Sequence, residues 1–178
     1  GAPCGPPYVH GPCVPRAGAA PLAVSDTRAW TEGTSRNFCR DPSAPRLPRK
    51  FKLNYSGCAT DGGQAMFNDV GVIATARKAD DGSIEPGFKV FIAGGLSSNP
   101  RPAHALEDFT AREALLPTIY AVLRTFDHYV NRDNKIRAGG TWLLAPHAID
   151  DLPRRSFRAP PLPHGAVLCP WGHTGEMP

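Results

Sequence analysis

The sequence has no apolar run near the roughly 20 residues that a membrane-spanning helix requires, which excludes a helical membrane protein. Its first residues carry no basic patch followed by an apolar stretch, so no secretory signal is legible. Cysteines are few: Cys4, Cys13, Cys39, Cys58 and Cys169 are odd in number and widely spaced. That is not the pattern of a secreted disulfide framework, and a reducing, cytoplasmic setting is expected. An excess of one charge is also lacking. The formal net charge is +4, too small by itself to mark a dedicated nucleic-acid binder. There is no G-x-G-x-x-G fingerprint and no P-loop, so neither a dinucleotide fold nor that kind of phosphate site is supported.

Glycine and proline are plentiful instead, with 18 and 20 residues among 178. Ten of the first 22 residues are Gly or Pro. Such a segment cannot hold a helix or the interior of a sheet, and it has too little apolar content to offset its ordering entropy. Residues 1–33 and 157–178 are therefore expected to be irregular or disordered. Cys4, His10 and Cys13, and likewise His164, Cys169 and His173, lack the paired spacing of a zinc site.

The middle of the chain can form a core, because hydrophobic residues make up 41% of the sequence. Phe51, Leu53 and Tyr55 alternate with Lys50, Lys52 and Asn54, which is a strand with one apolar and one polar face. Val70–Ala76 reads as a more buried strand. Residues 79–83 carry a turn signal, and Gly87–Ala93 forms a third strand, giving an antiparallel hairpin. A short helical piece is expected over Ala103–Asp108. A longer helix starts at Pro117, a residue that suits the first helical position; Ile119, Val122, Leu123, Phe126 and Val130 share its apolar face. The fold class is α+β: a small antiparallel sheet with one or two covering helices.

Three features could carry chemistry. Lys50 and Lys52 point to the same face of their strand, with Asn54 on that face and Arg46 and Arg49 beside it. Fixed ammonium groups of this kind suit a polyanionic ligand; the alternative is an edge strand protected by lysines. Gly94-Gly95-Leu96 after an apolar strand lets a backbone approach a flat ligand, or else forms a turn with positive φ. Cys58 could ligate a metal only with a second ligand, and position 62 is Gly62; otherwise it is a small core residue. Asn68 and Asp69 either belong to a site or make a side-chain turn before the strand.

Together these residues resemble the sirohaem-dependent nitrite and sulfite reductases. The likeness runs through Arg46-Leu-Pro-Arg-Lys-Phe-Lys-Leu-Asn-Tyr-Ser-Gly-Cys58, Phe67-Asn-Asp-Val-Gly-Val-Ile-Ala74 and Gly87-Phe-Lys-Val-Phe-Ile-Ala-Gly-Gly-Leu96. It continues through Leu115-Leu-Pro-Thr-Ile119 and Asn131-Arg132 to about Ala138, with Thr34-Ser-Arg-Asn37 as a short upstream match. The resemblance implies a reductase-like domain over 34–156, best matched over 46–138, that forms a half-module of the fold. It implies that sirohaem and a coupled 4Fe-4S cluster reduce nitrite or sulfite by six electrons. It makes Lys50 and Lys52 the groups that bind the anion and help supply protons, and Arg36 a substrate-binding arginine. Asn68, Gly94, Gly95, Leu96 and Arg132 join the two lysines against the cofactor, and Cys58 is the one metal ligand offered. The cysteine pairs that hold the cluster in the family are absent from this chain. A second half or partner chain is then required, with ferredoxin or a flavoprotein reductase as electron donor. On this reading the chain is a partial module, not catalytic alone. The alternatives are a non-enzymatic anion- or nucleic-acid-binding module, or an inert fragment. Few aromatics lie near the basic face, which argues against single-strand stacking, and no membrane partner is expected.

Overall fold

The computed structural model describes residues 24–40, 47, 50–96 and 100–129. The order of elements is α1 (Arg28–Arg40), β1 (Leu53–Ser56), a 3-10 turn (Ala65–Phe67), β2 (Val70–Lys78), β3 (Ile84–Ile92), β4 (His104–Ala111) and α2 (Arg112–Tyr129). The strands form one sheet in the order β1-β2-β3-β4. The α+β class holds. The sheet is mixed rather than wholly antiparallel, because β1 runs parallel to β2 with Leu53 opposite Val70. The two later pairs are antiparallel.

Alternation of side chains divides the sheet into two faces. Leu53, Tyr55, Val70, Val72, Ala74, Phe88, Val90 and Ile92 share one face and are all buried in the core. Burying each of the larger ones stabilises the fold by roughly 1.5–3 kcal/mol. Both helices cover this face. Phe51 meets Phe126 of α2 edge to face at 5.1 Å, and Trp30 of α1 meets Phe88 in the same way at 5.1 Å. Phe38 and Tyr120 join the two helices at 4.7 Å.

The opposite face carries Asn54, Gly71, Ile73, Lys89 and Phe91. The 3-10 turn presses on part of it: a Cβ at Gly71 would lie 2.5 Å from the Ala65 carbonyl oxygen. Asn54 was expected to share an open polar face with the lysines. It is buried instead, because its amide donates to the Gly63 carbonyl at 2.5 Å beneath the loop that follows β1.

Three elements depart from the sequence expectations. Helix α1 begins at Arg28, inside the stretch expected to be irregular. Of residues 103–108, expected to be helical, 104–108 form the first part of β4. Their pairing with β3 overrides local propensity, and the register shifts between Phe88 and Val90 and between Val90 and Phe91 blur the alternation. Helix α2 starts at Arg112, ahead of Pro117. Pro117 is exposed, so the carbonyl left without its N–H partner can turn to water. The apolar stripe is otherwise as read: Ile119, Val122, Leu123 and Phe126 are buried. Val130 and everything after it lie outside the described residues, as does the whole of 1–23.

Candidate anion-binding end of the sheet

Lys50, Lys52, Asn68 and Gly94–Leu96 gather at one end of the sheet. The cause is the register. Val70 N–H donates to the Lys52 carbonyl at 3.0 Å, and Ala93 N–H donates to the Asp69 carbonyl at 2.8 Å. The Lys52 N–H donates to Asp69 Oδ2 at 2.8 Å. The start of β1, the start of β2 and the end of β3 are thus tied side by side. Phe51 and Leu53 are buried while Lys50 and Lys52 are exposed, so the apolar residues anchor the chain that carries the two cations. Neither ammonium has an ion-pair partner among the described residues.

The glycine loop is built for close internal packing. A Cβ at Gly94 would lie 2.4 Å from the Met66 carbonyl oxygen and 2.9 Å from that of Asn68. The positive φ expected of a glycine here falls on Ala93 instead, at 63°. Gly95 and Arg101 exchange two backbone hydrogen bonds at 3.0 and 2.9 Å, which brings a third, exposed cation to the same end. Leu96 is 67% exposed and Phe67 39%. Since Gly94 touches Met66 and Asn68, these two apolar side chains flank adjoining loops. Asn68 is committed to the turn: its amide donates to the Gln64 carbonyl at 2.8 Å, and its N–H to Ala65 at 3.2 Å.

Two predicted site residues are not brought to this end. Arg36 sits on α1, which covers the core face of the sheet, whereas the alternation sets Lys50 and Lys52 toward the other face. Its guanidinium is exposed and ion-paired with Glu32. Cys58 lies past the far end of β1, beyond about 13 Å of strand. It is buried, and its sulfur accepts from the Gly62 N–H at 3.3 Å and the Thr60 hydroxyl at 3.4 Å. The Thr60 hydroxyl, followed by the Gly62 N–H, holds the thiol below its ordinary range against the opposing effect of burial. Arg46, Arg49 and Arg132 lie outside the described residues.

Sequence reasoning missed Asp69 as a tether, and Arg101 and Phe67 as neighbours of the lysines. The Asp69–Lys52 bond spans 17 residues, and no local motif announces it. As a donor set, this end suits a flat polyacid, with ammonium groups that have no ion-pair partner among the described residues beside exposed apolar side chains. It does not fit an iron–sulfur cluster, which needs several thiolates. Among the described residues no three His, Cys, Asp or Glu side chains converge, and Cys58 stands alone.

Comparison with known proteins shows the family. The family described as nitrite and sulphite reductase 4Fe-4S domain matches residues 12–149. An assimilatory ferredoxin-dependent nitrite reductase from Haloferax mediterranei is 39% identical over 130 residues, which is 66% of this chain and 21% of that protein. A sulfite reductase [NADPH] hemoprotein beta-component from Xanthomonas euvesicatoria is 31% identical over 113 residues, 60% of this chain and 19% of that one. The chain thus spans about a fifth of the length of these relatives. The structure of the NirA protein of Mycobacterium tuberculosis superposes with a TM-score of 0.65 at 26% identity, covering 79% of this chain and 26% of the other. With the family match running over most of its length, the chain belongs to the nitrite and sulphite reductase 4Fe-4S domain family.

Proposed function

We propose that the chain is a sirohaem-binding half-module of a nitrite or sulfite reductase, acting with a second half or partner chain that supplies the iron–sulfur cluster. The observation that carries this reading is the pair of exposed ammonium groups of Lys50 and Lys52, without an ion-pair partner among the described residues and held beside the Gly94–Leu96 loop at one end of the sheet. Sirohaem would supply the redox chemistry of the six-electron reduction. The protein's part is binding, orientation and charge. The Lys50 and Lys52 ammonium groups would attract a small anion, nitrite or sulfite, and donate hydrogen bonds to its oxygens. A charge-assisted bond of this kind is roughly twice as strong as a neutral one. The same N–H groups stand ready to pass protons to oxygen atoms leaving as water. Leu96 and Phe67 would lie against the apolar part of the macrocycle, and Arg101 against its acidic rim. Arg36, on the other side of the sheet, enters only through the family resemblance. Electrons would come from a ferredoxin or a flavoprotein reductase by way of the missing portion, in a reducing cytoplasm.

The test is a titration of the full chain with sirohaem, followed by visible absorption, beside a Lys50→Ala/Lys52→Ala variant. Losing two charge-assisted contacts should weaken binding by about tenfold or more. A folded wild-type chain that shows no saturable spectral change, or a double variant that binds as well as wild type, would overturn the reading.

A further inference from the structure

We infer that Asp69 is the positioning residue of the lysine site; this rests on the reading just given. In a continued parallel ladder the Lys52 N–H would reach the carbonyl of Asn68, two residues before Val70. That carbonyl is turned instead toward Gly94, whose Cβ position lies 2.9 Å from it. The Asp69 carboxylate takes its place as the acceptor, at 2.8 Å from the Lys52 nitrogen. The main chain of Asp69 meanwhile accepts from Ala93 at 2.8 Å. One residue therefore sets the spacing between the root of the Lys52 side chain and the glycine loop, by its side chain on one flank and its backbone on the other. A lysine has a long flexible stem, so placing its root restricts where the ammonium can reach. Only the carboxylate contact can be removed by substitution; the carbonyl contact remains.

Asp69→Ala and Asp69→Asn in the full chain separate this role from a charge effect, because Asn keeps an acceptor oxygen and loses the charge. Two quantities are read: hydrogen exchange of the Lys52 amide by NMR, and sirohaem affinity by absorption. In Asp69→Ala the Lys52 amide should exchange about tenfold faster and affinity should fall severalfold, as loss of one bond to a charged acceptor implies. Asp69→Asn should restore both. If Asp69→Ala loses its dispersed spectrum, Asp69→Glu replaces it; the longer arm misplaces the acceptor, and it should bind more weakly than Asp69→Asn. Unchanged Lys52 exchange, or Asp69→Asn binding as poorly as Asp69→Ala, overturns the role of Asp69. So does affinity that falls in the double-lysine variant and stays at the wild-type level in Asp69→Ala. A folded wild-type chain that binds no sirohaem overturns the site reading itself and this inference with it.

Discussion

Cys58, offered by the sequence either as a metal ligand or as a small core residue, is held in space by the turn that follows β1. Its sulfur accepts from the Thr60 hydroxyl and the Gly62 N–H, and lies 3.7 Å from the Ser56 hydroxyl. Donors favour the thiolate, so its acidity is raised even though burial opposes ionisation. The sign is that of a lowered thiol: the thiolate fraction grows as pH climbs through a value below that of free cysteine. Alkylation of Cys58, followed by peptide mass mapping, should therefore rise at lower pH than for an unstructured cysteine. Thr60→Val removes the largest contribution, and the rise should move to higher pH. An unmoved profile would mean that the Thr60 contact does not set the acidity. Residue identity alone could not reveal this, because Thr60 and Gly62 reach the sulfur only through the turn that follows β1. Lys50 and Lys52 were legible for the opposite reason: their exposure follows from alternation with buried neighbours, and alternation is written in the sequence.

Among the elements, β2, β3 and the apolar face of α2 were readable because their periodicity is strong and their neighbours are close in sequence. Helix α1 was not. Its segment contains Gly33 and several weak helix formers, and its buried side mixes Thr34 and Asn37 with Trp30 and Phe38. Those polar groups are satisfied within the helix and by β1. The Thr34 hydroxyl lies 2.7 Å from the Trp30 carbonyl and 2.6 Å from the Tyr55 hydroxyl, and Asn37 donates to the Gly33 carbonyl at 2.9 Å. Such a helix is stable only against its sheet, so no local signal predicts it. The contact between the 3-10 turn and β2 gives a prediction at this scale. Gly71→Ala forces a methyl group within 2.5 Å of the Ala65 carbonyl oxygen, and backbone cannot yield as a side-chain tip does. The variant should lose about 1–3 kcal/mol of stability by chemical denaturation. An unchanged midpoint would mean that the turn moves aside freely.

Across the whole molecule, cations are not concentrated overall, since the net charge is only +4. They matter by placement: Lys50, Lys52 and Arg101 share one end of the sheet. Exposed cations act through solvent and are screened within about 10 Å at 0.1 M salt. Affinity for sirohaem should therefore fall as ionic strength rises, and the double-lysine variant should show a shallower dependence; equal slopes would place the acidic groups elsewhere. Among the described residues, no helix is long and apolar enough to cross a membrane. The parallel pairing of β1 with β2 bears on the order in which the molecule assembles. The strands β2 and β3 meet across a five-residue turn, where Ala79 N–H donates to the Ser83 carbonyl at 2.8 Å, so they can zip from that turn outward. β1 has no such turn: Leu53 must find Val70 across the whole Gly57–Asp69 crossover. Closing such a loop costs entropy before any contact repays it. The hairpin is then expected to form early and β1 to join late, so that the tether between Lys52 and Asp69 closes near the end of folding; φ-values low at Leu53 and higher at Val72 and Val90 would bear this order out.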